Sequence, residues 1–394
     1  MHGLFLHLPP FAPDYSGVAS ALFELGGIIA IHDGTGCTGN YVCHDEPRFY
    51  GSNSAVFTSN LRELETILGD DEIFLEKLAN AAGDLRANFI AILGSPAPMV
   101  IGTDYRAMAH ILEKRTGLPV LVFDTKGIAF YDQGQSDAFL ALAKRFVVEI
   151  PQEREETAEI NIIGATPFDL GSEKHLEDLK DLIRACGYDK ITSWGIGGRF
   201  QELPLTSAAK LNLVINRSGL AAARYLQEKY GTPYVVKLPI GQWAAMSLHE
   251  KLRRGMTGEK YEAPAPKSSG KTDVKRALVI HEQVMGNGWR DCLQMDFGIP
   301  QVDVASFFSM DEELLQPNDV HLVEEEDLSA LARERAYDLI MGDLLFEEFL
   351  ADFTPNYLAL PHLAVSGCLY KDDSLQFIGA YGSALLQKKL AFWV

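Results

Sequence analysis

The chain has 394 residues and a formal net charge of −19, because 54 acidic residues outnumber 35 Lys and Arg. An acidic excess of this size argues against nucleic acid and against an anionic membrane surface as partners, since both bind basic faces. A hydrophobic content of 47% is ordinary for a globular protein, and the length suits two or three domains with cores that need no disulfide bonds.

Cysteine use points to a reducing compartment. The five cysteines are irregularly spaced and form no CxxC pair, so a disulfide framework is not expected; they are Cys37, Cys43, Cys186, Cys292 and Cys368. The start, MHGLFLHLPPF, has no basic segment and reaches two prolines early, which predicts mature sequence and not a signal peptide. No apolar run approaches the ~18 residues of a membrane span. We therefore expect a soluble, cytoplasmic protein.

The first third of the chain alternates between short apolar runs and amphipathic stretches, a pattern typical of parallel α/β layers. Apolar runs predict strands at 26–33, 89–95 and 118–124. Amphipathic periodicity predicts helices at 61–82, with a break near Gly69, and at 105–116 and 136–147. The polar segment 151–159 begins with proline and is interpreted as a linker.

The same alternation begins again twice. A strand is predicted at 159–167, then a helix that Ser172 caps and Gly187 ends, then strands within ITSWGIGG, LNLVINRSG and PYVVKLPIG. Segment 257–273, rich in Pro, Ser, Gly and Lys, is a second linker candidate. A third unit opens at 276–283, with further strands in VDVASF, YDLIMGD and YLALPH and a helix near 327–335. The pattern predicts three Rossmann-like domains with parallel sheets, at 1–155, 156–272 and 273–394.

The most informative motif is IHDGTGC at 31–37, a strand followed by a glycine-rich turn. Gly34 and Gly36 are expected to adopt positive φ, and Cys37 then lies at the carboxyl end of a strand, where α/β sheets bind ligands. Its thiolate suits a soft metal or an iron–sulfur cluster, although a buried cysteine beside an ordinary turn also fits. Cys43 follows six residues later, before His44 and Asp45, and no second close pair completes a zinc site.

Two chains that each contribute Cys37 and Cys43 would supply four thiolates, the usual complement of a 4Fe–4S cluster. Arg48 suits either an anion site or a surface ion pair. Cys186, Cys292 and Cys368 are interpreted as structural. The histidines His32, His44, His281 and His362 each fit a structural role when taken singly. The chain contains neither a Walker motif nor GxSxG, and GIGGR at 195–199 lacks the dinucleotide pattern, so nucleotide binding is not expected.

The sequence resembles the nitrogenase component 1 family in order along essentially its whole length. IHDGTGC resembles the family's HGxxGC loop, with Asp33 in place of the first glycine. Similar segments follow in FTSNLRELETILGDDEIFLEKL, FIAILGSPAPMVIGTD, TGLPVLVFDTKG, LNLVINRSGLAAARYLQEKYGTPYV, ALVIHEQVMGNGWR and LPHLAVSG. The resemblance implies a three-domain fold, pairing with a second copy or a component 1 paralogue, and electrons from an ATP-hydrolysing iron protein.

The departures from the family pattern bear on function. Cluster-binding members commonly use three cysteines in each subunit, and this chain keeps only the middle one, Cys37. Segment 13–17, PDYSG, stands near the first position, and Ser95 stands at the third. The cysteine that anchors the active-site cofactor in nitrogenase would lie near residues 215–216 and is absent. The resemblance therefore implies a nitrogenase-like reductase that does not reduce dinitrogen, with a shared 4Fe–4S cluster near Gly36, Cys37, Cys43 and Ser95.

Two other functions remain open. One is a non-catalytic scaffold or carrier for metallocluster or tetrapyrrole assembly. The other is a small-molecule binding protein that has lost its redox centre. For a reductase, we expect a substrate cleft formed by loops 94–104, 164–168, 216–219 and 362–367. In that cleft Arg217 would bind an anionic group and His362 would deliver protons, whereas an ion pair and a structural histidine are the simpler interpretations.

Overall fold

The computed structural model describes residues 6–50, 52, 54–62, 71–150, 158–259, 261, 264, 273–353, 356–370 and 374–390. Within those residues the chain forms three parallel sheets, which confirms the predicted three-part α/β architecture. The predicted boundaries near 155 and 272, and most of both predicted linkers, lie outside the described residues. The exact domain limits therefore stay a prediction.

The first sheet has four parallel strands in the order β2-β1-β3-β4. They are β1 (Ile28–Ile31), β2 (Ala55–Thr58), β3 (Ile90–Leu93) and β4 (Val120–Phe123). The central strands β1 and β3 are fully buried, as expected for parallel strands that are covered on both faces. The helices of this part are α1 (Asp14–Leu22), α2 (Gly36–Asn40), α3 (Glu72–Asp84), α4 (Pro96–Ile101), α5 (Tyr105–Thr116) and α6 (Tyr131–Phe146).

The second sheet repeats the arrangement of the first, in the order β6-β5-β7-β8. Its strands are β5 (Ile160–Ala165), β6 (Ile191–Gly195), β7 (Leu211–Val214) and β8 (Tyr234–Val236). Its helices are α7 (Glu173–Ala185), α8 (Leu220–Tyr230) and α9 (Gln242–Thr257). Helix α7 begins at the predicted cap Ser172, which forms a capping box with His175, and Gly187 follows its end with φ of 91°.

The third sheet has five parallel strands in the Rossmann-like order β11-β10-β9-β12-β13. They are β9 (Arg276–Ile280), β10 (Gln301–Ser306), β11 (Val320–His321), β12 (Leu339–Gly342) and β13 (Tyr357–Ala359). The accompanying helices are α10 (Gln283–Phe297), α11 (Glu325–Arg335), α12 (Leu345–Leu350), α13 (Leu363–Ser366) and α14 (Ala380–Leu390). In the part of the chain that is described, no helix has the length and apolar character to cross a membrane.

The second and third sheets share one apolar core. Ile162 and Leu213 of the second sheet belong to the same buried cluster as Val279 and Trp289 of the third. The N-terminal segment also connects distant parts, because the Glu325 carboxylate accepts hydrogen bonds from the backbone N–H groups of residues 6–8. The first sheet joins the second through another buried cluster, so loops from all three sheets can form one site.

Two predicted helices differ from the observed ones. The helix expected at 61–82 is observed from Glu72 to Asp84, and residues 63–70, with the predicted break, lie outside the described part. The helix expected at 136–147 begins five residues earlier, at Tyr131. Its first turn contains Gly134, a poor helix former. A Cβ atom there would clash with the Asp14 carbonyl, and one at Gly17 would clash with the Tyr131 carbonyl. Close packing of α1 on α6 thus overrides local propensity.

Candidate functional site

The turn that carries Cys37 is held by Asp33, the residue that replaces the first glycine of the family's loop. Its carboxylate accepts hydrogen bonds from the Thr38 N–H and hydroxyl, both at 3.0 Å, and from the Thr58 hydroxyl at 2.6 Å. The left-handed residue of the turn is Thr35, with φ of 85°, whereas Gly34 and Gly36 do not adopt positive φ. The predicted positive φ of the two glycines was therefore wrong. A Cβ on Gly36 would meet no described atom within 4 Å, so this face of the turn is open.

Cys37 lies half-buried beyond the end of β1, as predicted. Burial raises the pKa of its thiol, while hydrogen bonding to the hydroxyls of Tyr15 and Ser95 acts in the opposite direction. Ser95 is buried, and its hydroxyl also donates to the His32 carbonyl over 2.8 Å. The structure thus brings together segment 13–17, Cys37 and Ser95, the three places that the resemblance in the sequence singled out.

Cys43 is exposed, in the π-helical turn Tyr41–Asp45. The buried Asp45 at the end of this turn accepts hydrogen bonds on its carboxylate from the Ser16 hydroxyl at 2.6 Å and the Asn40 amide at 3.1 Å. Burial raises the pKa of Asp45 to about 7. Throughout the described residues, no three or more His, Cys, Asp or Glu side chains are grouped as a metal site. The described part of one chain therefore offers no complete set of metal ligands.

Arg48 forms ion pairs within the chain. Its guanidinium contacts the Glu46 carboxylate at 2.6 Å and the Glu24 carboxylate at 2.9 Å. It also donates to Ser20 and lies 4.7 Å from the centre of the Phe23 ring. These contacts occupy the guanidinium, and they agree with the interpretation of Arg48 as an ion-paired residue.

The remaining three cysteines lie in other elements of the fold. Cys292 is buried within α10, and Cys186 is half-buried at the end of α7, where burial raises the pKa of its thiol. Cys368 is half-buried in the 3-10 turn Gly367–Tyr370. That turn packs near the Cys43 turn, since a Cβ on Gly367 would lie 3.4 Å from the His44 carbonyl oxygen. Loop 362–367 therefore reaches from the Cys43 turn into the interior.

His362 is buried at the inner end of this loop, where residues associated with all three sheets meet. We call this place the three-sheet junction; its buried polar residues are Tyr131, Asp169, Asn216, His281, Glu282 and His362. Its Nε2 lies 3.2 Å from the Tyr131 hydroxyl, which donates to Asp169 over 2.6 Å. The His281 ring stacks on the His362 ring at 4.1 Å. Burial and the neighbouring His281 lower the pKa of His362 well below its usual range. The imidazole is therefore neutral near pH 7, and the expectation based on an unperturbed pKa does not apply to it.

Two buried carboxyl groups form the other side of this three-sheet junction. Asp169 accepts a hydrogen bond of 2.6 Å from the Asn216 amide, and burial together with Glu282 raises its pKa well above the ordinary value. Burial also raises the pKa of Glu282. Glu282 accepts backbone hydrogen bonds from Arg217 at 2.7 Å and from residues 284 and 285 at the start of α10. The junction can therefore hold protons on buried carboxyl groups.

Arg217 is half-exposed in the 3-10 turn Arg217–Gly219, beside the junction. Its backbone is fixed by Glu282, while its guanidinium has no hydrogen bond or ion pair with any described residue. The negative charges of Asp137 and Asp311 nonetheless act on it, and the structure assigns no anion to the guanidinium. Its role as an anion-binding residue stays a prediction.

Three of the four predicted cleft loops, 164–168, 216–219 and 362–367, meet at the junction. The fourth, 94–104, contacts the Cys37 turn through Ser95 instead. A small cavity of about 60 Å³ adjoins the junction; residues from the second and third sheets line it, among them Phe168, Asp169, His281, Leu363 and Ser366. In this conformation the junction holds little more than water-sized groups.

Sequence reasoning missed Tyr131, Asp169 and Glu282. A weak signal was available for two of them, because Asp169 and Glu282 each follow the carboxyl end of a buried strand, where ligand-binding groups concentrate. Tyr131 gave no such signal, because the predicted helix began only at residue 136.

Comparison with known proteins agrees with this architecture. The family model for nitrogenase component 1 type oxidoreductases matches residues 13–354. One subunit of the light-independent protochlorophyllide reductase of Nostoc punctiforme is 24% identical over 181 residues, which cover 44% of this chain and 36% of that protein. The nitrogenase iron–molybdenum cofactor biosynthesis protein NifE of Klebsiella pneumoniae is 26% identical over 227 residues, 52% of this chain and 47% of that protein.

Both matches span less than half the length of the relative. Among solved structures, one described as nitrogenase Cp1 at pH 6.5 superimposes with a TM-score of 0.70 at 15% identity. The superposition covers 100% of this chain and 93% of the other. At that identity the likeness concerns the fold alone. The match to the family model covers most of the sequence, and the chain therefore belongs to the nitrogenase component 1 type oxidoreductase family.

Proposed function

We propose that this chain is one subunit of a nitrogenase-like, ATP-dependent reductase with a 4Fe–4S cluster at Cys37. The observation that carries the proposal is the half-exposed Cys37 thiol at the end of β1, where Tyr15 and Ser95 meet it. A thiol at a strand's carboxyl end, with one side accessible, suits a cluster that a second chain covers. Such a cluster would pass single electrons.

The donor set fits half of a shared site. Cys37 is the proposed cluster ligand, Cys43 is a second candidate because it is exposed nearby in sequence, and Ser95 and Gly36 line the same turn. The other ligands would come from a second copy or a component 1 paralogue. A low-potential cluster of this kind requires a reducing compartment, which favours the cytoplasm. Because the sequence has no phosphate-binding loop, ATP hydrolysis is assigned to an iron protein partner.

The junction is the proposed proton source for a small-molecule substrate that would bind beside it, at Arg217. The guanidinium of Arg217 would bind an anionic group of that substrate in paired hydrogen bonds. Asp169 would hold a proton, because its pKa is raised, and the Tyr131 hydroxyl connects it to neutral His362. In this scheme His362 relays protons instead of storing them.

The test is anaerobic reconstitution with the iron protein, ATP and a low-potential donor, using protochlorophyllide as the first substrate probe. We expect ATP-dependent oxidation and reduction of the cluster in the wild type. Arg217→Ala and His362→Ala should retain cluster reduction and lose at least tenfold in product formation wherever a probe is turned over. Arg184→Ala, on the exposed face of α7, is the control that should match the wild type. Wild-type turnover by both junction variants would contradict this assignment of the reaction site.

A scaffold or carrier for metallocluster assembly is the second candidate. It is favoured by the single thiol at the Cys37 turn and by the similarity to a cofactor biosynthesis protein. The same reconstituted protein distinguishes the two functions. A carrier would transfer its cluster to an acceptor apoprotein within minutes and show no ATP-dependent turnover, whereas a reductase would keep the cluster through repeated cycles. Failure to bind iron at all would instead favour a binding protein that has lost its redox centre.

A further inference from the structure

A second cavity, of about 490 Å³, lies at β8, the edge strand of the second sheet, and shares no lining residue with the junction cavity. Its size is within the range of small-molecule sites. Strand β8 forms one wall, and the carboxyl-terminal half of α9 forms another. The lining residues that matter here are Tyr234, Lys237, Lys251, Glu259 and Tyr261.

Two of the lining residues are buried lysines, each with only 9% of its surface exposed. Both amines share one carboxylate. The Lys237 ammonium pairs directly with Asp291 of α10, and the Lys251 nitrogen lies 3.8 Å from the same oxygen. Two amines beside one carboxylate cannot both be neutralised by it, so one of the two is poorly compensated when charged.

Lys251 is the poorly compensated amine. Its pKa is lowered to about 7, chiefly by burial and then by the charge of Lys237, and Asp291 only partly opposes this. The rings of Trp243 at 4.7 Å and Tyr261 at 5.0 Å favour the cation. The negative charge of Glu259 on the cavity wall also favours the protonated form of Lys251, whereas the positive charge of Arg254, near Tyr261, disfavours it. A substantial fraction of neutral, nucleophilic amine at neutral pH follows from this balance.

We propose that Lys251 is a reactive amine and that this cavity binds a flat aldehyde or ketone, which Lys251 converts to an imine. The cavity admits the carbonyl compound between β8 and α9, and the rings of Tyr234 and Tyr261 on its wall can pack against a planar group. The amine nitrogen forms a bond to the carbonyl carbon while the C=O π electrons move to oxygen. A proton passes from nitrogen to that oxygen, and the resulting carbinolamine loses water to give the imine. No oxidant or reductant is needed.

The experiment is reductive trapping of the full-length protein with benzaldehyde and cyanoborohydride at pH 7, followed by peptide mass spectrometry. Lys251 should be benzylated at least tenfold faster than Lys114, which is exposed on α5. Raising the pH to 9.5 should shrink this ratio, because ordinary lysines with pKa values near 10.4 begin to lose their protons there. Equal labelling of Lys251 and Lys114 at pH 7 would overturn the proposal.

Two variants connect the reactivity to the lysine pair. In Lys237→Met, the loss of the neighbouring charge should slow labelling of Lys251 severalfold at pH 7, and labelling should recover at pH 9.5. In Lys251→Met, trapping in this cavity should disappear without Lys237 taking it over. Circular dichroism verifies that each variant is folded. If a variant does not fold, the comparison of Lys251 with Lys114 in the wild type still decides whether the proposal holds. Unchanged labelling of Lys251 in folded Lys237→Met would show that the pair does not set its reactivity.

Discussion

The Cys37 turn and the three-sheet junction differ in how far the fold encloses their reactive side chains. At the turn, Cys37 is half-buried, Cys43 is exposed, and the described residues contain no complete metal site. At the junction, Tyr131, Asp169 and His362 are buried in one hydrogen-bonded network. The comparison teaches that one region leaves thiols accessible to another molecule, whereas the other is enclosed and organised by the fold.

Removal of Asp169 should have the largest effect on stability. Asp169→Ala removes the acceptor of the buried Tyr131 hydroxyl and one of the acceptors of the buried Asn216 amide. We expect the free energy of unfolding to fall by about 3 kcal/mol, since each unsatisfied buried group costs roughly 1–3 kcal/mol. Urea denaturation measures the change. Asp181→Ala on the surface of α7 should shift it by less than about 0.5 kcal/mol. Equal effects of the two substitutions would show that the junction is not a tightly organised network.

Substitution of Asp45, two residues after the exposed Cys43, tests whether the stability of the region around the Cys37 turn depends on pH. Its folded-state pKa is raised to about 7 from an ordinary value of 3.8. The protonated carboxyl group therefore contributes stability that is complete below about pH 4 and is lost as the pH rises through 7. Asp45→Asn keeps the oxygen that accepts from Ser16 and Asn40, without the charge.

In unfolding measurements across pH 4 to 8, Asp45→Asn should remove part of the wild-type decline in stability. We expect a gain over the wild type on the order of 2 kcal/mol at pH 8, and none from this cause at pH 4. Parallel curves for the two proteins would mean that Asp45 titrates normally and that the turn is more open than the structure shows.

Tyr15→Phe should produce a smaller and more local effect at the Cys37 turn. The Tyr15 hydroxyl favours the thiolate of Cys37 by hydrogen bonding. Without it, we expect alkylation of Cys37 by iodoacetamide at pH 8 to slow about fivefold, equivalent to a hydrogen bond of about 1 kcal/mol. Peptide mapping separates Cys37 from Cys43. Tyr50→Phe, at a largely exposed tyrosine, should leave the rate unchanged, and an equally fast reaction in Tyr15→Phe would remove Tyr15 from the site.

Much of the fold could be predicted from local patterns. The apolar runs that become β1, β3, β5 and β9 are buried on both faces, so periodicity and length identify them without tertiary information. Helix caps such as Ser172 and Gly187 are local as well. The start of α6 could not be predicted in this way, because Gly134 is placed in a helix by the close approach of α1, a contact between residues far apart in sequence.

The candidate site was only partly predictable for the same reason. Cys37 stood out because its turn follows a strand directly. His362 was identified by residue type. Its low pKa, however, depends on burial against His281 and Tyr131, which lie far from it in the sequence. The pairing of Asp169 with Tyr131 joins residues 38 positions apart and has no local signature.

The central claim is that Cys37 holds an iron–sulfur cluster shared between two chains. The direct measurement is iron and acid-labile sulfide content after anaerobic purification of the complete assembly, together with its mass and visible absorbance. We predict ~four iron atoms and four sulfides for each pair of chains in the wild type and in Cys186→Ala. Cys37→Ala should lose both the metal and the absorbance while remaining folded. Full iron content in Cys37→Ala would contradict the account.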